Sequence, residues 1–318
     1  MIDVVAIGEL LIDFTCRSVD ESGYPTMSAH PGGAPANFLA ALAQFGSKTA
    51  MIGKVGEDAF GKLLLETLKG CGIDTRGMIV SKDVFTTLAF VTLDETGDRA
   101  FSFARKPGAD TCLSFHEVDM RLIDEAKVFH FGTLSLTHEP ARTATQSAVA
   151  YAKEREKLIT FDPNLRKPLW DDPENAKRQM LWGLRQADVV KISDEEVEFL
   201  FGLEPQAGAD HIIKEYGAKL VFVTCGADGC VFQNQNCSGH VPGLQGIQTV
   251  DTTGAGDIFG GSAVWKLLQL GKLPQELDET QLRDVTEFAC VSAGLSTTKP
   301  GGISSVPTME QVQKALRK

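Results

Sequence analysis

Hydrophobic and polar positions along the chain follow two alternating rhythms. Short runs rich in β-branched residues, at Val4–Gly8, Thr49–Val55, Lys127–Phe131, Leu158–Asp162, Val189–Ile192 and Leu220–Thr224, read as strands. Between them lie stretches of helical period. Pro35–Phe45 puts Phe38, Leu39, Leu42 and Phe45 on one face; Ala59–Lys69, Pro140–Arg155, Pro173–Gln186 and a helix from Asp194 follow. Further helices are expected at Asp257–Gln269, Glu279–Ser296 and Thr308–Arg317. Strands alternating with helices predict βαβ units and a mostly parallel sheet covered on both faces.

Two insertions break the rhythm. Phe85 to Arg105 alternates with period two on either side of Asp94-Glu95-Thr96-Gly97-Asp98, a hairpin signature. Phe14 to Ala29 is extended and turn-rich, with Gly23 and Pro25. Each follows a piece of core sheet. The expectation is a small separate β-sheet from about residues 14–30 and 85–108, either a lid over a site or a plain edge sheet. With no repeat or linker elsewhere, residues 1–318 read as one α/β domain carrying that sheet.

Composition narrows the classes. The 318 residues are 43% hydrophobic and 23% charged, which excludes a disordered chain. No stretch approaches the roughly 18 apolar residues of a membrane span, and Asp3 stands where a secretory signal would be basic. Lys+Arg 31 against Asp+Glu 42 gives a net charge of −11, which argues against nucleic acid as a partner. Seven cysteines without a C-x-x-C pair predict free thiols in a reducing cytoplasm. The Asn236-Cys237-Ser238 sequon is then a chance match.

The strongest local feature is Val250-Asp251-Thr252-Thr253-Gly254-Ala255-Gly256-Asp257, between an extended stretch and a helix. Glycines at a helix start let free backbone N–H groups face one anion, and the helix dipole adds partial positive charge. Asp257, on the first turn, would sit beside that anion and could take a proton from an attacking hydroxyl. An anion cradle with a base alongside suits phosphoryl transfer; a plain glycine turn is the alternative. Pro31-Gly32-Gly33-Ala34-Pro35-Ala36-Asn37 opens a helix with a glycine pair that permits close approach to a ligand, with Asn37 in reach. Simple helix initiation would use the same residues. Asp13 follows the first strand at the carboxyl edge of the sheet, where open α/β sheets bind ligands. It could accept from two sugar hydroxyls or be a solvated loop acid. Arg105, Asp162-Pro163-Asn164-Leu165-Arg166 and Thr224-Cys225-Gly226-Ala227-Asp228-Gly229 are weaker markers, each as readily a salt bridge or a turn.

Several familiar motifs fail. Gly56 to Leu63 nearly spells a P-loop, but Leu63 cannot reach Mg²⁺, and Glu57 and Asp58 would crowd the phosphates. Gly254-x-Gly256 begins like a dinucleotide fingerprint, but Phe259 takes the third glycine's place. No histidine pair has zinc-ligand spacing, and no G-x-S-x-G elbow is present.

Together and in order, Gly32-Gly33 through Asn37, the run Ile52-Gly53-Lys54-Val55-Gly56-Glu57-Asp58, and Asp251 through Asp257 resemble the PfkB, or ribokinase-like, carbohydrate kinases over essentially the whole chain. The last run matches that family's C-terminal signature. Ala34-Pro35-Ala36-Asn37, Phe161 through Arg166 with Pro168-Leu169-Trp170, and Lys191-Ile192-Ser193-Asp194-Glu195-Glu196 read like its fructokinase subgroup. The resemblance implies a three-layer αβα sandwich with a mostly parallel central sheet and a β-sheet lid. It implies transfer of a phosphoryl group from ATP to the C6 hydroxyl of D-fructose, with Mg²⁺ and K⁺ as cofactors.

By match, Asp257 would be the base, with Gly254, Ala255 and Gly256 as the anion hole. Asp13, Gly32, Gly33, Asn37, Arg105, Asn164 and Arg166 would hold the sugar, and Ser193, Thr224, Gly226 and Gly229 the nucleotide. Asp251, Thr253, Ser296, Lys299, Gly301 and Ser305 would surround the monovalent cation, several through carbonyls. One departure stands out: Ser193 replaces the Asn of the family's Asn-x-x-Glu motif, linked to Mg²⁺ and phosphate. A 2-keto-3-deoxygluconate kinase is the alternative within the family, because Arg105 and Arg166 suit a carboxylate, although Phe103 lacks the tyrosine hydroxyl such kinases often present. A catalytically inactive sugar-binding protein is the alternative of another class; Asp257, Gly254 and Gly256 stand against it. Apolar residues on both faces of the hairpin predict pairing of two lids in a homodimer.

Overall fold

The computed structural model describes residues 1–93 and 99–317, so the expected hairpin turn at residues 94–98 lies outside the described residues. The strands are β1 (Ile2–Ile7), β2 (Leu11–Val19), β3 (Pro25–Gly32), β4 (Thr49–Gly56), β5 (Asp74–Ser81), β6 (Leu88–Leu93) and β7 (Arg99–Ala104). They continue with β8 (Ala126–Gly132), β9 (Leu158–Asp162), β10 (Val189–Ser193), β11 (Leu220–Thr224), β12 (Cys230–Asn234) and β13 (Ser238–Val241). The helices are α1 (Ala34–Gln44), α2 (Ala59–Gly70), α3 (Met120–Glu125), α4 (Ala141–Glu154) and α5 (Pro173–Gln186). After them come α6 (Asp194–Phe201), α7 (Pro205–Tyr216), α8 (Ala255–Leu270), α9 (Glu279–Ser296) and α10 (Met309–Leu316).

Strands that are apolar on both faces need a helical layer on each side. In β1, Val5 and Ile7 enter one core with Val149 of α4, Met180 of α5 and Ile212 of α7. Val4 and Ala6 enter the opposite core with Phe38 and Leu39 of α1, Leu64 of α2 and Val264 of α8. The same period-two division along the sheet produces a nine-stranded middle layer of order β13-β12-β11-β10-β9-β8-β1-β4-β5. Neighbouring strands pair parallel except at one edge, where β12 runs against both β11 and β13. The chain reverses its direction of winding between β1 and β8, and open α/β sheets bind ligands in such a crevice. Among the described residues no helix is long and apolar enough to cross a membrane.

The two insertions meet in a second, four-stranded sheet of order β3-β2-β6-β7, with β2 and β6 parallel. It reaches further than the sequence pattern predicts, from Leu11 to Gly32. Phe14 stacks on Phe90 at 5.3 Å and meets Phe60 of α2 edge-on at 5.5 Å, which ties this sheet to the main body. The pattern also passes over β5, β12, β13, α3 and α7. The helix expected from Asp194 stops at Gly202, whose φ of 64° ends it in a left-handed cap, and Pro205 opens α7.

The turn from β1 to β2 carries Glu9, which is 3% exposed. Its Oε1 accepts from the Ala34 N–H at 2.8 Å and so braces the start of α1. Gly33, at φ 113°, is required there, because a Cβ would lie 2.5 Å from the Glu9 carbonyl oxygen. Burial pushes the Glu9 carboxyl up to about 8, from an ordinary value of 4.5. Between those values the folded chain binds more protons than the unfolded one, so this group's contribution to stability falls as pH rises through the window. Glu9→Gln keeps an acceptor for Ala34 and should flatten the fall by up to about 1.4 kcal/mol per pH unit, read by urea unfolding at pH 5 and pH 8. An unchanged slope would mean that Glu9 is ionised in the fold.

Candidate active site

Two helix starts converge above the carboxyl ends of the strands. Helices α1 and α8 pack closely because Gly261 has no side chain; a Cβ there would overlap the Phe38 carbonyl oxygen. This contact sets Asn37, on the first turn of α1, against Asp257, on the first turn of α8. Asn37 Nδ2 donates to Asp257 Oδ2 at 2.9 Å, and Asn164 Nδ2 donates to Oδ1 at 3.0 Å. Asn164, in the loop after β9, adopts φ 47°, a left-handed conformation that Asn tolerates. The three side chains are buried and the carboxylate is gripped at both oxygens. Asn37 Oδ1 is buried without a hydrogen-bond partner and so offers an acceptor to a ligand hydroxyl. Glycines make room for this amide: a Cβ at Gly254 would lie 3.0 Å from Asn37 Nδ2, and one at Gly302 would overlap Oδ1.

Charge is concentrated here. Burial raises the Asp257 carboxyl, while the Asn37 hydrogen bond, Lys191 and Arg166 draw it down and Glu196 pushes it up again. Asp13 is pushed to about 7 by burial, opposed by Arg166 and reinforced by Asp257 and Asp251. Its carboxylate lies against Gly32, where a Cβ would overlap it. Below them Lys191 pairs with Asp162 at 3.0 Å. The structure thus brings Asp13, Gly32, Gly33, Asn37, Asn164, Arg166, Gly254, Ala255, Gly256 and Asp257 to one end of the sheet.

Arg105 is placed differently. It is 3% exposed, at the end of the small sheet. Nε and Nη2 donate to Asp110 Oδ2 at 2.8 and 2.6 Å, Nη2 also to the Leu134 carbonyl at 2.8 Å, and Nη1 to Thr137 Oγ1 at 2.9 Å. Asp110 in turn accepts from the Thr87 hydroxyl. Of the five N–H donors in the guanidinium, bonds to the described residues use four, which leaves one on Nη1. Arg105 is therefore chiefly the anchor of the small sheet's base.

On the other side of α8 lies the loop 224–229. Thr224 ends β11 in register with Ser193 of β10, and Gly226 and Gly229 have φ of 55° and 102°. A Cβ at Gly229 would lie 2.5 Å from the Gly243 amide nitrogen. Ser193 caps α6: its hydroxyl accepts from the Glu196 N–H at 3.2 Å, and Glu196 Oε2 accepts from the Ser193 N–H at 2.9 Å. Glu196 Oε1 accepts from the Leu165 N–H at 2.6 Å, which joins this cap to the loop that carries Asn164. Asp251 joins two further loops, its Oδ1 accepting from the Thr253 N–H and its Oδ2 from the Gly301 N–H, both at 2.9 Å. Ser296 and Ser305 hydroxyls donate to the carbonyls of Ala293 and Gly302, and the Lys299 N–H donates to the Ser296 carbonyl. The Asp251 carboxylate and several carbonyl and hydroxyl oxygens collect there, the kind of donor that suits a hard cation, with the His30 ring beside Gly301. No cluster of three His, Cys, Asp or Glu suited to a metal occurs among the described residues. A cleft of about 590 Å³ opens between the small sheet and these loops, lined by Thr15, Arg17, Val91, Asp251, Thr253 and Pro300.

Residues 1–309 match the family described as pfkB family carbohydrate kinase. The chain belongs to that family. It is 41% identical over 320 residues to fructokinase-1 of Zea mays, covering 99% of this chain and 98% of that one. Among solved structures, a fructokinase from Xylella fastidiosa with bound ATP superposes with a TM-score of 0.90 at 28% identity, covering 99% and 98% of the two chains. A fructokinase double mutant from Vibrio cholerae O395, in fructose-, ADP- and potassium-bound form, gives 0.88 at 30% identity over 99% and 98%. As a carbohydrate kinase of this fold, the chain acts as a phosphotransferase on a sugar hydroxyl.

In this kinase the Ser193 departure has a local explanation, since Ser is a strong N-cap and the capping box with Glu196 is complete. Two buried ionisable groups near the site, Glu9 and Lys191, escaped the sequence reading. A lone charge inside an otherwise apolar strand was the available signal for Lys191.

Gly254 is the N-cap of α8 at φ 75°, and a Cβ there would also come within 2.9 Å of the Gly302 Cα. Gly254→Ala should shift the helix start and lower kcat on the order of 10²-fold, with the far-ultraviolet circular dichroism unchanged. Wild-type turnover in a steady-state assay would show that the loop tolerates the displacement.

Proposed function

We propose that the protein is an ATP-dependent fructokinase, converting ATP and D-fructose to ADP and D-fructose 6-phosphate. The observation that carries this reading is the Asp257 carboxylate, held at both oxygens by Asn37 and Asn164 on the first turn of a glycine-started helix. The fructokinase relatives over nearly the full length support fructose as the sugar.

In this reading Asp13, Asn37, Gly32 and Gly33 position the sugar, with Asn164, Arg166 and the free donor of Arg105 completing the pocket. Asp257 accepts the proton of the C6 hydroxyl as that oxygen forms its bond to the γ-phosphorus and the bond to the ADP oxygen breaks. The first-turn N–H groups at Gly254, Ala255 and Gly256, with the positive end of the α8 dipole, receive the charge that develops on the transferring group. Ala255 donates to the Thr252 carbonyl over a long 3.3 Å, a bond readily exchanged for a phosphate oxygen. Ser193, Thr224, Gly226 and Gly229 flank the nucleotide. Mg²⁺, arriving with the phosphates, supplies neutralisation of their charge. Asp251, Thr253, Ser296, Lys299, Gly301 and Ser305 would hold K⁺ between the loops that Asp251 ties together, and the ion would add positive charge near the helix start. The small sheet closes as a lid on a single α/β domain and excludes water.

Asp257→Asn should lower kcat by about 10²–10⁴-fold while the KM for fructose changes little, in a coupled ADP-release assay. Near-normal turnover would remove Asp257 from the role. Run across fructose, ribose, 2-keto-3-deoxygluconate and glucose, with and without K⁺, the wild type should prefer fructose and be activated by K⁺. Preference for the keto acid would make Arg105 and Arg166 carboxylate ligands instead.

Assembly and location extend the same reading. Val19 and Tyr24 are 60% and 71% exposed at the tip of the β2–β3 ribbon. They support pairing of two small sheets in a homodimer, which sedimentation equilibrium would show as twice the chain mass; a monomer at micromolar concentration would contradict it. All seven cysteines are free, which suits a reducing cytoplasm.

A further inference from the structure

Lys191 lies in the middle of the charged cluster but in none of the roles above. It comes from β10, its side chain is 13% exposed, and its ammonium pairs with Asp162 at 3.0 Å. The second glycine of the α8 start leaves room for it: a Cβ at Gly256 would stand 2.7 Å from Nζ and 3.4 Å from Cε. Beside the ion pair is a small space of about 20 Å³, lined also by Phe38, His130, Thr160 and Phe222. His130 stacks on Phe38 at 3.7 Å, and burial lowers it to about 3, so it is neutral and does not compete for the acids. The charges that face Lys191 are therefore Asp162, Glu196 and Asp257. Burial alone would lower the lysine, but these acids outweigh it and keep the ammonium protonated.

We propose that Lys191 is a positioning residue for phosphoryl transfer, a fixed counter-charge pinned by Asp162 beneath Gly256 that keeps Asp257 ionised through space. This rests on Asp257 being the base. Asp257 is faced by Asn37 from α1, Asn164 and Arg166 from the loop after β9, Lys191 from β10, Glu196 from α6 and Asp13 from β2. Two of these are cations, and Arg166 belongs to a loop whereas Lys191 is fixed in the sheet. Without Lys191, Asp257 would face Glu196 and Asp13 with one cation fewer and would hold its proton to a higher pH.

The test is the pH profile of kcat with fructose and ATP. Asp257→Asn is measured first: if it retains turnover, the base assignment fails and the role of Lys191 falls with it. If it collapses, Lys191→Gln should move the acid limb of kcat upward by about one pH unit, with the KM for fructose within a few-fold of wild type. Asp162→Asn breaks the same ion pair but keeps the ammonium, so its limb should stay in place or move to lower pH. A merely structural pair would make the two variants behave alike. Should Lys191→Gln fail to fold, Lys191→Met/Asp162→Asn replaces the pair by neutral groups. Its limb should also lie above that of wild type, because Asp257 feels Lys191 more strongly than Asp162. Limbs of the lysine variants that superimpose on the wild type would overturn the proposal.

Discussion

If Asp257 is the base proposed above, its carboxylate must stay charged in a buried place, and much of this molecule is arranged around that demand. Burial works against an ionised Asp257, and only groups brought within a few ångströms can offset the loss of hydration. Two amides, a lysine and an arginine do so in part; they come from α1, from β10 and from the loop after β9, which supplies both Asn164 and Arg166. Such closeness needs backbones without side chains at the points of contact. Gly261 lets α1 approach α8, Gly254 and Gly302 admit the Asn37 amide, and Gly256 admits the Lys191 ammonium. The glycines of this site thus answer to the electrostatics of one acid as much as to an anion held at the helix start.

The sheet supplies the frame that makes the convergence possible. Asn37, Asn164 and Asp257 are separated by more than a hundred residues between first and second and by 93 between the last two, yet all stand at the carboxyl ends of parallel strands. The reversal of winding between β1 and β8 opens the crevice at that edge. Secondary caps then lock the loops there. The Ser193–Glu196 box is bonded to Leu165, and Asp251 binds the Thr253 and Gly301 amides, so neighbouring loops hold one another in place.

Much of this was legible in the sequence where local chemistry dictates local shape. The glycine runs at 32–33 and 254–256 mark helix starts with backbone open to a ligand, and the apolar strands mark a two-sided sheet. The small sheet showed as alternation broken by turns. What escaped depends on contacts distant in the chain. Strands β12 and β13 are only five and four residues long and owe their form to pairing, β12 with β11 and β13 with β12. Arg105 reads as a ligand in isolation, but Asp110, only five residues away, takes most of its donors in a buried pair. Ser193 looks like a lost ligand beside a family motif, whereas the fold uses it as a cap. Lys191 looks like a stray charge in a strand until the sheet register sets it under Gly256.

The small sheet is built into the site as well as laid over it. β2 begins three residues after Gly8 and contains Asp13, and β3 ends at Gly32, next to the first turn of α1 that carries Asn37. On the proposed reading, in which the small sheet closes as a lid and Asp13 and Asn37 hold the sugar, the ligand would bind the moving piece and the fixed piece at once. Its affinity for the closed arrangement exceeds that for the open one by the contacts Asp13 adds, and that difference is the free energy that shifts the population toward closure. Occupancy and closure are then reciprocally linked: whatever stabilises the closed sheet, including a second copy lying against it, must tighten the hold on the sugar by the same amount.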